Sequence, residues 1–154
     1  MRNLIRHPTS SPQRALLSVL MLLSAVPAWA QTDVASFYEV STEGTSTKLK
    51  AGETGKVIIS IKAKNGAHVS DEAPLKIELS SKQSKLGKEK LTLADSLNPK
   101  KQGETNYPDP RFEVPFTPTA HGASSVEAKM TFFICTEKQC ARQVKNLSFP
   151  VEVM

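Results

Sequence analysis

Short runs of alternating apolar and polar residues constrain the fold of this chain more than any other feature. The clearest run covers residues 57–64, where the apolar Val57, Ile59, Ile61 and Ala63 alternate with Ile58, Ser60, Lys62 and Lys64. A period of two is the pattern of a β-strand that buries one face. An Asn-Gly pair, which favours a tight turn, follows the run directly. This segment is therefore predicted to be a strand that ends in a turn.

The same alternation recurs in six other segments, most of them separated by glycine or proline. These segments are residues 37–40, 75–80, 91–93, 111–116, 126–134 and 147–153. None of them shows the 3.6-residue period of an amphipathic helix. Seven or eight short strands with glycine and proline turns predict an all-β fold, and specifically an antiparallel β-sandwich of the immunoglobulin type.

Four features depart from this regular pattern. Residues 94–110 contain three prolines and a glycine, which predicts a long irregular loop. The lysine-rich segment 82–90 is predicted to be a solvent-facing hairpin. Val144 is out of step with the alternation of the last strand, which predicts a bulge near Lys145. Pro150 predicts that the last strand lies at a sheet edge, because proline has no N–H to donate.

Residues 1–30 have the three parts of a secretory signal peptide. Three arginines precede an apolar run at residues 15–26, and an Ala-Trp-Ala cleavage motif ends at Ala30. The run is too short to cross a bilayer of about 30 Å, and no second run of that kind follows. We therefore expect cleavage near Ala30. The mature chain is then an immunoglobulin-like domain of residues 31–154, periplasmic or secreted, with no membrane span.

The charge balance of the mature chain gives no case for nucleic acid as a partner. The whole chain has 20 Lys and Arg against 15 Asp and Glu, a formal net charge of +5. Three of the basic residues and none of the acidic ones lie in residues 1–30, so the mature balance is 17 against 15, or +2. Nucleic-acid binding domains are usually much more basic.

The two cysteines of the chain, Cys135 and Cys140, are the strongest candidates for chemistry. Four mostly polar residues separate them, and strand-like sequence lies on both sides. A four-residue connection is a common hairpin length, and it would place the two cysteines opposite each other. Paired strand positions come close enough for a disulfide. An exported protein meets an oxidising compartment, which favours pairing. Alternation from a buried Phe132 would place Cys135 on the solvent side.

Three roles for the cysteine pair stay open from the residues alone. A structural disulfide is one, although closing so short a loop stabilises by only about 2 kcal/mol. A redox pair is the second, and the basic Lys138, Arg142 and Lys145 nearby would favour the thiolate. The third is a zinc site completed by His68 and His121, which are otherwise ordinary loop residues.

Beyond these features, the chain resembles a known family from about Val57 to Val153. The landmarks are the segments 61–66, 75–77 and 111–116, then Gly122, the two cysteines and a final strand ending in Pro-Val-Glu-Val. In this order and spacing they resemble the N-terminal periplasmic domain of the DsbD family of thiol:disulfide interchange proteins, a disulfide bond corrector-like domain.

The resemblance implies an immunoglobulin-like sandwich and a thiol-disulfide interchange activity that needs no cofactor. Cys135 and Cys140 would receive electrons from a membrane-embedded partner and pass them to exported thioredoxin-like proteins. The family shields its disulfide with an aromatic residue of a loop. Tyr107 is the nearest candidate for that shield here, and Phe133 and Lys138 are possible modulators. The alternative is a non-enzymatic exported binding or assembly module with a structural disulfide.

Overall fold

Ten β-strands and two single-turn 3-10 helices make up the part of the chain that the structure, a computed structural model, describes, residues 34–154. The predicted signal peptide and the domain boundary at residue 31 lie outside these residues. The helices are Val34–Phe37 and Leu93–Asp95. The strands are β1 (Tyr38–Ser41), β2 (Lys48–Leu49), β3 (Gly55–Ala63), β4 (His68–Val69), β5 (Lys76–Ser80), β6 (Ser84–Leu86), β7 (Lys90–Thr92), β8 (Arg111–Pro118), β9 (Gly122–Cys135) and β10 (Cys140–Val153).

The strands form two sheets. The first sheet has the order β1-β3-β8-β6, and the second has the order β2-β10-β9-β5-β7, with β4 also paired to β9. Every pairing is antiparallel except that of β2 with β10. The predicted all-β, immunoglobulin-like antiparallel sandwich is confirmed. None of the helices in residues 34–154 has the length and apolar character that a membrane crossing needs.

A single apolar core lies between the two sheets. Each long strand contributes alternate residues to it, as the period of two predicts. The largest side chains that are fully buried are Phe112, Phe116 and Phe132. The Tyr38 ring of the first sheet meets the Phe132 ring of the second edge-on, with 5.2 Å between ring centroids. Burial of each large apolar side chain contributes about 1.5–3 kcal/mol, so this core holds the sheets together.

The bulge predicted near Lys145 is wrong. Strand β10 pairs with β9 without a break from Cys140 to Val153. Inward and outward residues continue to alternate through the polar half of the strand, because the polar side chains on its inner face find a partner in the first sheet. There the Tyr38 hydroxyl donates to Gln143 Oε1 at 3.0 Å, and Lys145 Nζ lies 5.5 Å from the Tyr38 ring centroid. Val144 is out of step only because it faces solvent, where it is 43% exposed.

The edge position predicted from Pro150 holds for the part of β10 before residue 152, although β2 pairs with the last two residues of the strand. The N–H of Glu152 donates outward to Thr47 O, beside β2, at 2.8 Å. Backbone groups of alternate residues in a strand point the same way, so the Pro150 nitrogen also faces outward. Within the described residues, β2 is the only strand that pairs with this side of β10, and it does so only at residues 152–153. The missing N–H of proline therefore costs no ladder hydrogen bond.

The lysines of residues 82–90 are exposed, as predicted, but the predicted hairpin is wrong. Strand β6 pairs with β8 in the first sheet, whereas β7 pairs with β5 in the second, so the chain crosses between sheets here. Gly87 lies at the crossing, and its N–H donates to Pro115 O at 2.8 Å. A Cβ at this position would lie 2.7 Å from Pro115 Cγ. Glycine thus permits the close approach that the crossing needs.

Candidate functional site

The two cysteines form a disulfide that joins the end of β9 to the start of β10. They are directly opposite in the strand register, with their Cα atoms 4.0 Å apart. The Thr136 N–H donates to Gln139 O at 2.8 Å and closes the four-residue turn. The cysteine pair, one position further along the ladder, is therefore a non-hydrogen-bonded pair, in which opposite Cα atoms approach most closely. The predicted cross-strand pairing is confirmed.

The two halves of the disulfide differ sharply in exposure. Cys135 is only 4% exposed, whereas Cys140 is exposed. Cys135 lies on the face of β9 opposite to that of Phe132, as predicted, but its predicted exposure to solvent is wrong. Strands flank Cys135 on both sides, β10 on one and β4 on the other. Cys140 has β9 on one side only, within the described chain. An incoming thiolate thus meets the Cys140 side of the bond.

A histidine lies directly beside the buried cysteine. In the pairing of β4 with β9, His68 is opposite Cys135 and Val69 is opposite Ile134. Val69 and Ile134 are both buried in the core, so their neighbours point to the outer face. Opposite residues of a pair share a face, so His68, Cys135 and Cys140 form one row across three strands. We call this row the cysteine–histidine row.

The prediction of His68 as an ordinary loop residue is therefore wrong. Strand β4 has only two residues, which is too short for any alternation to show in the sequence. The position of His68 beside the disulfide depends on a long-range strand pairing, which no local sequence pattern predicts. The one available signal was the apolar Val69 after the Asn-Gly turn that ends β3.

His121 does not join the row. It directly precedes β9, whereas Cys135 is the last residue of that strand. Fourteen residues at about 3.3 Å each separate the two ends by roughly 45 Å. The predicted set of two cysteines and two histidines therefore cannot converge on one zinc ion. In residues 34–154 no group of three or more His, Cys, Asp or Glu side chains is arranged to hold a metal.

Two of the three predicted basic neighbours lie on the disulfide's side of the molecule. Lys138 is exposed in the turn, where its N–H donates to Thr136 Oγ1 at 3.3 Å. Arg142 is exposed and lies opposite Phe133, on the outer face. Lys145 instead points to the inner face, over the Tyr38 ring, so its predicted effect on the cysteines is wrong. The reason is the unbroken alternation of β10.

The long loop is tied to the segment next to the disulfide. The Ser70 N–H donates to Phe133 O at 3.0 Å and continues the line of β4 along β9. Asp71 follows, and Lys100 Nζ donates to its Oδ2 at 2.7 Å and to Thr105 O at 3.0 Å. The hydrogen bond from Lys100 holds the pKa of Asp71 below its usual value. The predicted loop is confirmed as irregular after residue 95.

Tyr107 and Phe133, the aromatic residues predicted to shield or modulate the disulfide, lie in different parts of the structure. The Tyr107 hydroxyl donates to Leu93 O at 3.0 Å, which fixes the loop to the chain just after β7. Phe133 is half-buried on the outer face of β9, two residues before Cys135. It is therefore the aromatic neighbour of the cysteine–histidine row. A shielding role for either residue stays a prediction.

An open hollow of about 530 Å³ lies beside the turn that joins the cysteines. Asn65 and Gly66, which lie on its other side, have positive φ angles of 54° and 75°. The hollow is lined by Phe37, Asn65, Gly66 and the turn residues Thr136, Glu137, Lys138 and Gln139. A second hollow, of about 680 Å³, lies near the other end of β9 and is lined largely by serines. Only the first is next to the disulfide.

Comparisons with known proteins do not identify a family for this chain. No protein-family model matches it, and no curated protein sequence matches it. Domains 4 and 5 of the S-layer protein SbsC align with 75% of this chain at 10% identity and a TM-score of 0.40. The alignment covers 51% of that structure, so the chain spans about half its length. A conjugative transposon lipoprotein from Bacteroides eggerthii aligns with 74% of this chain and 95% of its own, at 11% identity and a TM-score of 0.41.

Proposed function

We propose that this chain is an exported thiol-disulfide exchange domain whose redox pair is Cys135 and Cys140. A membrane-embedded thiol-disulfide protein would supply its electrons, and exported thioredoxin-like proteins would take them. The resemblance to the DsbD family supports these partners. The export motif at the start of the chain supports a periplasmic or secreted location.

The observation that carries the proposal is the redundancy of the disulfide as a cross-link. It joins two residues that are already opposite each other in a ladder of fourteen residue pairs. It closes a turn of only four residues, which contributes about 2 kcal/mol by the chain-entropy estimate. A bond that adds so little to the fold can be broken and remade without unfolding the domain.

The difference in exposure supports a separate role for each sulfur. In the oxidised domain, a partner thiolate attacks Cys140 Sγ and forms a mixed disulfide, and the electron pair of the broken bond leaves with Cys135 Sγ. A second thiolate of the same partner then attacks its own sulfur in the mixed disulfide and releases Cys140. The partner dithiol has become a disulfide, and the domain is reduced. The reverse sequence passes the electrons on.

Single-cysteine variants are expected to capture partners unequally. In Cys135→Ala the exposed Cys140 remains, and we expect it to form a stable mixed disulfide with exported proteins that carry a Cys-X-X-Cys motif. In Cys140→Ala only the buried Cys135 remains, and we expect capture to fall by at least about tenfold, because access limits exchange. Non-reducing electrophoresis and mass spectrometry of the captured proteins measure both.

The two variants are matched controls for each other, since each has one thiol on the same scaffold. Equal capture by both would contradict the assignment of Cys140 as the attacked sulfur. No capture by either would contradict exchange itself, and it would favour the non-enzymatic binding or assembly module.

A further inference from the structure

We infer that His68 is the acid–base partner of Cys135 in the exchange reaction. The inference rests on the proposed function for its biological meaning. Its structural basis is independent, because the cysteine–histidine row follows from strand register alone. His68 and Cys135 are directly opposite in an antiparallel pair, and such pairs have Cβ atoms about 4.5–5.5 Å apart. An imidazole at this position can reach the neighbouring sulfur.

Burial of Cys135 creates the need for such a partner. When a thiolate attacks Cys140, the electron pair of the broken bond goes to Cys135 Sγ. This residue is 4% exposed, and a bare anion there is costly because water cannot solvate it. A proton from the His68 imidazolium neutralises the leaving sulfur as the bond breaks. In the reverse step, neutral His68 removes that proton so that Cys135 can attack the mixed disulfide.

The position of His68 suits proton exchange with solvent. It is half-buried at the outer face, so part of the residue is accessible to water. Histidine is the side chain whose charge ordinarily changes between pH 5 and 8, which allows both the acid and the base role.

The segments that adjoin β4 and the disulfide carry several charged groups, and Arg142 of β10 lies on the same outer face. Asp71, in the segment after β4, interacts electrostatically with His68 and is itself bound by Lys100 of the long loop. The turn between the cysteines carries Glu137 and Lys138. Beyond the end of β3, Lys64 is paired with Glu39 and is therefore already compensated.

The test is the pH profile of disulfide reduction by dithiothreitol, expressed per concentration of dithiothreitol thiolate. For the wild type we expect the rate constant to be about tenfold higher at pH 5 than at pH 8, because a histidine ordinarily gains its proton between these values and only an imidazolium can neutralise the leaving sulfur. In His68→Gln the profile should be flat and should stay at the level of the wild type at pH 8. His121→Gln, at the far end of β9, is the matched control and should keep the wild-type profile.

A flat wild-type profile would overturn the inference, and so would a His68→Gln profile that keeps its rise toward low pH. If His68→Gln does not fold, the pH profiles of the wild type and of His121→Gln still show whether His68 causes the rise. His68 and His121 are the two histidines of the mature chain, so a rise that survives His121→Gln belongs to His68. The dithiothreitol reaction needs no natural partner. A negative result in this reaction is therefore distinguishable from a negative result in the capture experiment, which tests the proposed function.

Discussion

Replacing both Cys135 and Cys140 by alanine is expected to abolish thiol-disulfide exchange while lowering the free energy of unfolding by only about 2 kcal/mol. Exchange is lost completely because these are the only cysteines of the chain. The fold survives because the ladder between β9 and β10 keeps all of its pairs, and the core beneath it is untouched. A large loss of activity with a small loss of stability distinguishes a working redox pair from a structural bridge.

The reduced wild type is the matched control for this double variant. It lacks the same covalent bond but keeps both sulfur atoms, so its unfolding free energy should fall by a similar amount. Urea unfolding of the oxidised wild type, the reduced wild type and the double variant measures all three. A loss of more than about 4 kcal/mol, or failure of either form to fold, would show that the bond holds the domain together.

Phe132→Ala is expected to produce the largest loss of stability, about 3–5 kcal/mol. Phe132 is fully buried on the inner face of β9, and its ring packs against that of Tyr38 of the opposite sheet, with 5.2 Å between ring centroids. Truncation to alanine removes the apolar contacts and leaves a cavity that the surrounding strands cannot close. Equilibrium unfolding in urea measures the change, and exchange with dithiothreitol should persist where the domain is still folded.

The adjacent Phe133→Ala variant is the control for this effect. The two residues are neighbours in the same strand, but Phe133 is half-buried on the outer face. We expect the free energy of unfolding to fall by about 1 kcal/mol, because folding buries less of the apolar surface of Phe133 than of Phe132. Equal losses from the two variants would contradict the assignment of the core face of β9.

The fold and the disulfide follow from the sequence because both depend on local patterns. Alternation in residues 57–64 predicts β3, and the turn between Cys135 and Cys140 predicts their pairing. A period of two assigns each residue to a face of its strand, and a short connection fixes which residues are opposite.

The site beyond the disulfide does not follow from local patterns. Whether an outward-facing residue is exposed depends on how many strands flank it. Cys135 is buried because it has a strand on each side. The strand beside it is the two-residue β4, which brings His68 from 67 positions away in the sequence. The position of Lys145 could not be predicted for the same reason. Its ammonium group lies over the ring of Tyr38, which belongs to the other sheet.

Stability and reducibility are linked through one thermodynamic cycle. If the disulfide stabilises the folded domain by about 2 kcal/mol, the folded domain stabilises the disulfide by the same amount. For a two-electron couple, about 1.4 kcal/mol corresponds to about 30 mV, so the fold lowers the reduction potential by only about 45 mV. The short turn between Cys135 and Cys140 therefore predicts a disulfide that exported redox proteins can reduce.

The reduction potential of the Cys135–Cys140 pair tests this claim most directly. It is measured by equilibrating the folded domain with glutathione and dithiothreitol redox buffers and counting free thiols. We predict a value within the range of known exchange proteins, between about −120 and −270 mV. A value below about −300 mV, which is typical of structural disulfides, would contradict exchange as the function of this pair.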